Sequence, residues 1–274
     1  MTVTLTSSPN TPSATHGRLT IVGVGPGAPD LLTLRAVRRI ADADVVAYPR
    51  TENGRARAHE IACEHIAPHA AHLAYALPMS QDRAPAQQAY DALAGDLSAA
   101  MAGGAHVCLL CEGDPMFFGS AMYVLERLRA AWPIEVVPGI SSVMAAAAAA
   151  AHPLAARDEV FTVLPATLPD AELATALRDL PALTIMKVGR HLPRVRRLVL
   201  AHGFADALLI EDAQTPSQRL RPLAQVDENE TVGYFSLIIA RRAAHASPAS
   251  ALQPQYPEAQ AGENRRAAGG ARDR

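Results

Sequence analysis

Five short apolar runs each end in a loop punctuated by glycine or proline, and that recurrence narrows the folds open to this chain. Leu19–Gly23 enters GVGPGAPD, Val107–Cys111 enters EGDPMFFG, and Ile134–Val137 enters PGISS. Leu183–Val188 carries KVGR at its end, and Ala207–Glu211 leads into DAQTPSQR. Apolar runs of this length bounded by turn residues read as strands, and the segments between them carry helical periodicity. Asp30 is expected to N-cap a helix through Leu31, Leu34, Val37 and Ile40, and Ser141 or Ser142 to cap one through the alanine run that follows. Further helices are expected over Gln87–Met101, Gly119–Ala131, Ala171–Leu180 and Leu192–His202, and further strands over Asp44–Tyr48, Val160–Leu164 and Val232–Ala240. Strand and helix in alternation argue for α/β layers with mostly parallel strands. A break near His152–Asp158 divides the ordered chain into an N-terminal domain over 18–152 and a C-terminal domain over 153–243. The ends, 1–17 and 244–274, lack periodicity and are expected to be disordered tails. Open α/β sheets bind ligands at the carboxyl ends of their strands, so the five loops are expected to converge on one cleft.

Bulk properties remove several classes of function. With 49% apolar and 19% charged residues the chain is globular, and a net charge of -2 offers no broad field to nucleic acid. No apolar run spans a bilayer, and Met1–His16 lacks the basic start and apolar core of a secretory signal, so the cytoplasm is the expected location. Three cysteines make no disulfide framework. Cys108 and Cys111 lie three apart on an expected strand, so they point to opposite faces and do not form a zinc pair. The histidines show no ligand spacing on a shared helix face, and Pro68 interrupts His65 and His69. No metal site is expected.

The loops then constrain chemistry. The first resembles a dinucleotide-binding glycine turn but does not serve as one. Pro26 and Pro29 lack the N–H groups that would face a pyrophosphate, and the second strand ends in Tyr48-Pro-Arg50 rather than in an acidic residue. That counts against a nicotinamide oxidoreductase. Asp114 has two readings of similar weight: an acceptor for a ligand's ribose or amine, or an Asp-Pro turn. Ser141 and Ser142 offer hydroxyls to a ligand or simply cap a helix. Lys187 is the chain's single lysine.

Taken together and in order, the GxGPGxPDLLTLRA, CEGDPxFxGS, PGISS, KVGR and TPSQR segments resemble the tetrapyrrole (corrin and porphyrin) methylases, over about Arg18–Arg242. Within that family Tyr48–Pro49, EGDP with Phe117–Phe118, KVGR and Tyr234-Phe-Ser-Leu237 look most like the precorrin-2 C20-methyltransferases. The resemblance implies two α/β domains with S-adenosylmethionine folded in the cleft between them, and a homodimer. Carried over by motif, it implies donor contacts from Pro26, Glu112, Gly113, Asp114, Phe117, Ser141, Ser142, Met186 and Ala213. Lys187 stands where many relatives have glycine, as Ala213 does where several have it. The implied substrate is precorrin-2 or cobalt-factor II, with another position-specific corrin methylase as the neighbouring alternative. Arg50, Lys187 and Arg190 are candidates for holding its carboxylates, and Tyr48 for accepting the C20 proton. A non-catalytic tetrapyrrole or nucleotide carrier is a more distant reading, disfavoured by the presence of Asp114, Ser141 and Ser142.

Overall fold

The computed structural model describes residues 17–51, 53–76 and 83–242, so both expected tails lie outside the described residues save for Gly17. In the first half β1 (Arg18–Gly23), β2 (Val45–Arg50), β3 (Ala71–Ala76), β4 (His106–Cys111) and β5 (Ile134–Val137) alternate with α1 (Leu34–Ala41), α2 (Arg57–Ala62), α3 (Arg83–Ala102) and α4 (Ala121–Leu128). The strands form one parallel sheet in the order β3-β2-β4-β1-β5. A parallel sheet is covered on both faces, which is why β4 is buried along its whole length. Leu19, Ile21 and Leu109 pack with Leu97 and Met101 of α3 on one face. Val22, Val46 and Leu110 pack with Ala36 and Ile40 of α1 on the other. Cys111 joins the first cluster and Cys108 the second, on opposite faces as the strand period requires.

After α5 (Ser142–Ala149) the second half contains β6 (Phe161–Pro165), α6 (Asp170–Asp179), β7 (Ala182–Met186), α7 (Leu192–Ala201), β8 (Leu208–Glu211), β9 (Arg219–Pro222) and β10 (Ser236–Arg241). Its sheet runs β6-β7-β10-β8-β9, and β6–β7 is its one parallel pair of neighbours. The expectation of mostly parallel strands therefore fails here. β9 returns from β8 through a short loop and so pairs with it antiparallel, and β10 slots between β7 and β8 and runs against both.

At the local level one expectation fails, one is narrowed and two elements are new. Asp30 does not cap α1: it sits in a 3-10 turn, Pro29–Leu31, and the helix starts at Leu34. The cap is Thr33, whose extended backbone (φ -70°, ψ 147°) aims its hydroxyl at the Ala36 N–H. Ser141 rather than Ser142 caps α5, accepting from the Met144 N–H. α2 and β3 were not expected. The two sheets meet where Val143 and Ala146 of α5 pack on Ile210, Ala213, Leu237 and Ile239.

Candidate active site

The parallel sheet brings the carboxyl ends of β1, β4 and β5 side by side, and their loops are laced together by backbone groups. Gly25 and Gly113 exchange N–H···O bonds of 3.2 and 2.7 Å. Asp114 joins two of the loops: one carboxylate oxygen accepts the Met116 N–H at 2.8 Å and the other the Gly139 N–H at 3.1 Å. A Cβ on Gly139 would lie 2.1 Å from the Gly113 carbonyl oxygen, so nothing larger than glycine fits there. The first loop is thus a floor built by close backbone approach, which accommodates its prolines.

Above this floor is a cavity of about 190 Å³. The first half contributes Pro26, Arg57, Glu112, Gly113, Asp114, Phe117, Phe118, Ser141 and Ser142, and the second Met186, Lys187, Ile210, Ala213, Tyr234, Phe235 and Leu237. Of the six non-glycine residues with positive φ among the described residues, Phe118 (55°) and Lys187 (60°) line the cavity, and Asp212 (46°) and Gln214 (61°) flank its lining residue Ala213. Each such conformation costs about 1–3 kcal/mol, and their clustering marks a functional region. Lys187 occupies the left-handed backbone that a glycine would adopt freely, and its Nζ lies 5.1 Å from the Phe118 ring centroid.

Charge in the cavity is arranged around Arg57 and Glu112. Burial raises the Glu112 carboxyl above the usual range, while the Arg57 charge and the Ala58 amide pull it back. Burial pushes the Cys111 thiol up to about 12, which keeps it protonated at neutral pH and removes it as a nucleophile. No group of three or more His, Cys, Asp or Glu suited to a metal occurs among the described residues.

All nine residues expected to contact the donor line this one cavity, and so does Lys187. Tyr48, Arg50 and Arg190 do not line it. Tyr48 and Arg50 close β2, at the sheet edge from which the cavity loops leave. The Tyr48 ring lies 4.5 Å from that of His59, and its hydroxyl is 3.5 Å from His72 Nδ1. Arg190 is exposed in the turn after β7. Sequence reasoning missed Arg57, which stands among other arginines with no local motif. The cavity suits S-adenosylmethionine chemically. Phe117, Met186, Ile210 and Leu237 offer an apolar wall for a purine, and Glu112, Ser141 and Ser142 offer acceptors and hydroxyls for its ribose and amino-acid portions.

Fold and site together define an α/β protein whose ligand cleft lies between a parallel and a mixed sheet. The chain belongs to the Tetrapyrrole (Corrin/Porphyrin) Methylases, whose family model matches residues 18–227. It is 40% identical over 231 residues to the cobalamin biosynthesis protein CobIJ of Mycobacterium tuberculosis, covering 81% of this chain and 45% of that one. The chain therefore spans less than half the length of that relative. It is 37% identical to a precorrin-2 C(20)-methyltransferase from Sinorhizobium, over 81% of this chain and 94% of the relative. It is 31% identical to the cobalt-precorrin-2 C(20)-methyltransferase of Salmonella typhimurium, over 83% and 97%. Among solved structures, the uroporphyrin-III C-methyltransferase of Thermus thermophilus complexed with S-adenosyl homocysteine superposes with a TM-score of 0.60 at 30% identity, covering 82% of this chain and 97% of that one. The cobalt precorrin-4 methyltransferase CbiF shares the fold, with a TM-score of 0.68 at 23% identity, over 85% and 98%.

Proposed function

We propose that this chain is an S-adenosylmethionine-dependent C-methyltransferase that methylates C20 of precorrin-2, or of its cobalt-loaded counterpart, on the route to cobalamin. The observation that carries the reading is the convergence of all nine expected donor-contact residues, drawn from both halves, on one cavity. The two C(20)-methyltransferase relatives, each matched over nearly its whole length, support the choice of carbon.

Bound in the cleft, the donor supplies an electrophilic sulfonium methyl group. The protein's contribution is orientation, which is worth about 7–11 kcal/mol in the best model systems. The Gly25–Gly113 floor and the Asp114 clasp fix the first wall, and Met186 and Ala213 belong to the second. The apolar lining keeps water from the reacting centre. Lys187, Arg50 and Arg190 are exposed and carry the charge to hold the macrocycle's carboxylates. Tyr48 remains the candidate for taking the C20 proton, from the end of β2. We further infer that the enzyme works as a homodimer in the cytoplasm.

The deciding experiment is methyl transfer from labelled S-adenosylmethionine to metal-free precorrin-2 and, in parallel, to cobalt-factor II. Label at C20 of either ring supports the reading, and the preferred ring assigns the metal state. Label in neither ring removes the C20 assignment.

A further inference from the structure

Arg57 is a cation taken almost wholly out of water, with 7% of its surface exposed. Its partners come from both halves of the molecule. Nη1 donates to Asp212 Oδ1 at 2.9 Å, Nη2 donates to the Pro26 carbonyl at 3.0 Å, and the guanidinium lies 3.9 Å from the Phe235 ring centroid. The Asp212 N–H donates in turn to the Phe235 carbonyl at 2.8 Å, which closes a ring of contacts. Beside it the halves interlock: a Cβ on Gly27 would lie 2.4 Å from Thr215 Cγ2.

The placement of these contacts gives them a consequence for the cleft. Pro26 lies in the first wall and Ala213 in the second, and both line the cavity. Arg57 ties the Pro26 carbonyl to the residue just before Ala213. Asp212 and Gln214, on either side of Ala213, are both left-handed, so this loop holds a conformation it would leave if its ties were cut. The planar guanidinium suits the task because it bonds two acceptors in fixed directions while stacking on a ring, which an ammonium does not do.

We propose that Arg57 is a positioning residue that sets the gap between the two walls of the cleft, and through it the grip on S-adenosylmethionine. This rests on the cleft's being the donor site and is independent of which ring carbon is methylated.

The test is calorimetric binding of S-adenosylhomocysteine to the full chain, with thermal unfolding recorded in parallel. Arg57→Met is expected to weaken binding about tenfold, and Asp212→Asn to weaken it in the same direction by less. The double variant is expected to bind no worse than Arg57→Met alone, because the two residues act as a unit. Arg57→Lys keeps the charge without the fork and is expected to recover only part of the loss. A purely structural role would lower the unfolding temperature and leave the affinity of the folded protein unchanged. That result, strictly additive effects, or full affinity in Arg57→Lys would each overturn the proposal. If Arg57→Met does not fold, Asp212→Asn decides alone, and wild-type affinity there overturns it. Wild-type protein that bound no S-adenosylhomocysteine would remove the donor-site reading and this proposal with it.

Discussion

His106 and Thr20 are joined across β1 and β4, with Nε2 2.9 Å from the threonine hydroxyl and both residues buried. Nδ1 lies 3.0 Å from the Asp42 carbonyl, which only accepts, so Nδ1 carries a proton, and in the neutral ring Nε2 accepts from Thr20. The ring is held neutral, and burial lowers its affinity for a proton.

Stability should consequently fall on mild acidification. His59, His152 and His191 are also shifted down, in each case chiefly by burial. A histidine lowered in the folded state contributes stability that is present above its unfolded value, about 6.5, and is lost as pH drops through the folded value. Urea unfolding at pH 7.5 and pH 5.5 should give a smaller free energy at the lower pH, and His106→Gln should make the dependence shallower. An equal pH slope in the variant would rule His106 out as a contributor.

Asp114 spends both carboxylate oxygens on backbone amides, so its first role is to shape the cleft. Asp114→Ala should cost about 2–3 kcal/mol of stability, from the loss of two hydrogen bonds to a charged acceptor, and should weaken S-adenosylhomocysteine binding. Asp114→Asn keeps one acceptor oxygen and should lose less on both counts. Denaturant midpoints read beside calorimetric affinities check this. Unchanged stability with lost binding would instead make Asp114 a direct ligand contact.

On the proposed reading, Lys187 sets stability against substrate binding at one position. Lys187→Gly should raise unfolding stability by about 1 kcal/mol by releasing the left-handed strain, while raising KM for the carboxylate-rich macrocycle. Lys187→Ala keeps the strain and removes the charge, so it should raise KM without the gain in stability. A KM unchanged in both variants would end the substrate role.

Gly139→Ala forces a methyl group onto the Gly113 carbonyl, and overpacking of that kind costs about 1–3 kcal/mol or more. Gly95→Ala makes the opposite case. Gly95 is exposed within α3 with nothing within 4 Å of its added Cβ, so the change should stabilise by about 0.5–1 kcal/mol. Paired thermal melts of the two variants should move in opposite directions.

Much of the cleft was legible because strand-end loops keep their motifs contiguous. EGDP and PGISS each deliver neighbouring residues to one place, and a parallel sheet aligns their ends. Arg57 was not legible. It reaches the site from α2, a six-residue helix with no N-cap signal, and its partners Asp212 and Phe235 are more than 150 residues away. β3 was hidden because its alanines and His72 show no alternation of apolar and polar residues. The antiparallel half of the second sheet was hidden for a different reason. Periodicity reports which face a strand buries but not its direction. The shortfall of Tyr48, Arg50 and Arg190 as lining residues reflects the same limit, since a strand end fixes which edge a residue occupies and not the heading of its side chain.

The alanines of α5 have a consequence for how the molecule comes apart. Val143 and Ala146 form one buried apolar cluster with Ile210, Ala213, Leu237 and Ile239 of the other half, and the cluster is continuous with the apolar side of the cleft. Neither half buries that surface alone. Melting should therefore be one cooperative event rather than two, and a ligand seated between the sheets should raise the thermal resistance of both at once. Cutting the chain between the sheets would yield two fragments that each expose an apolar face and seek each other out, instead of two independent modules.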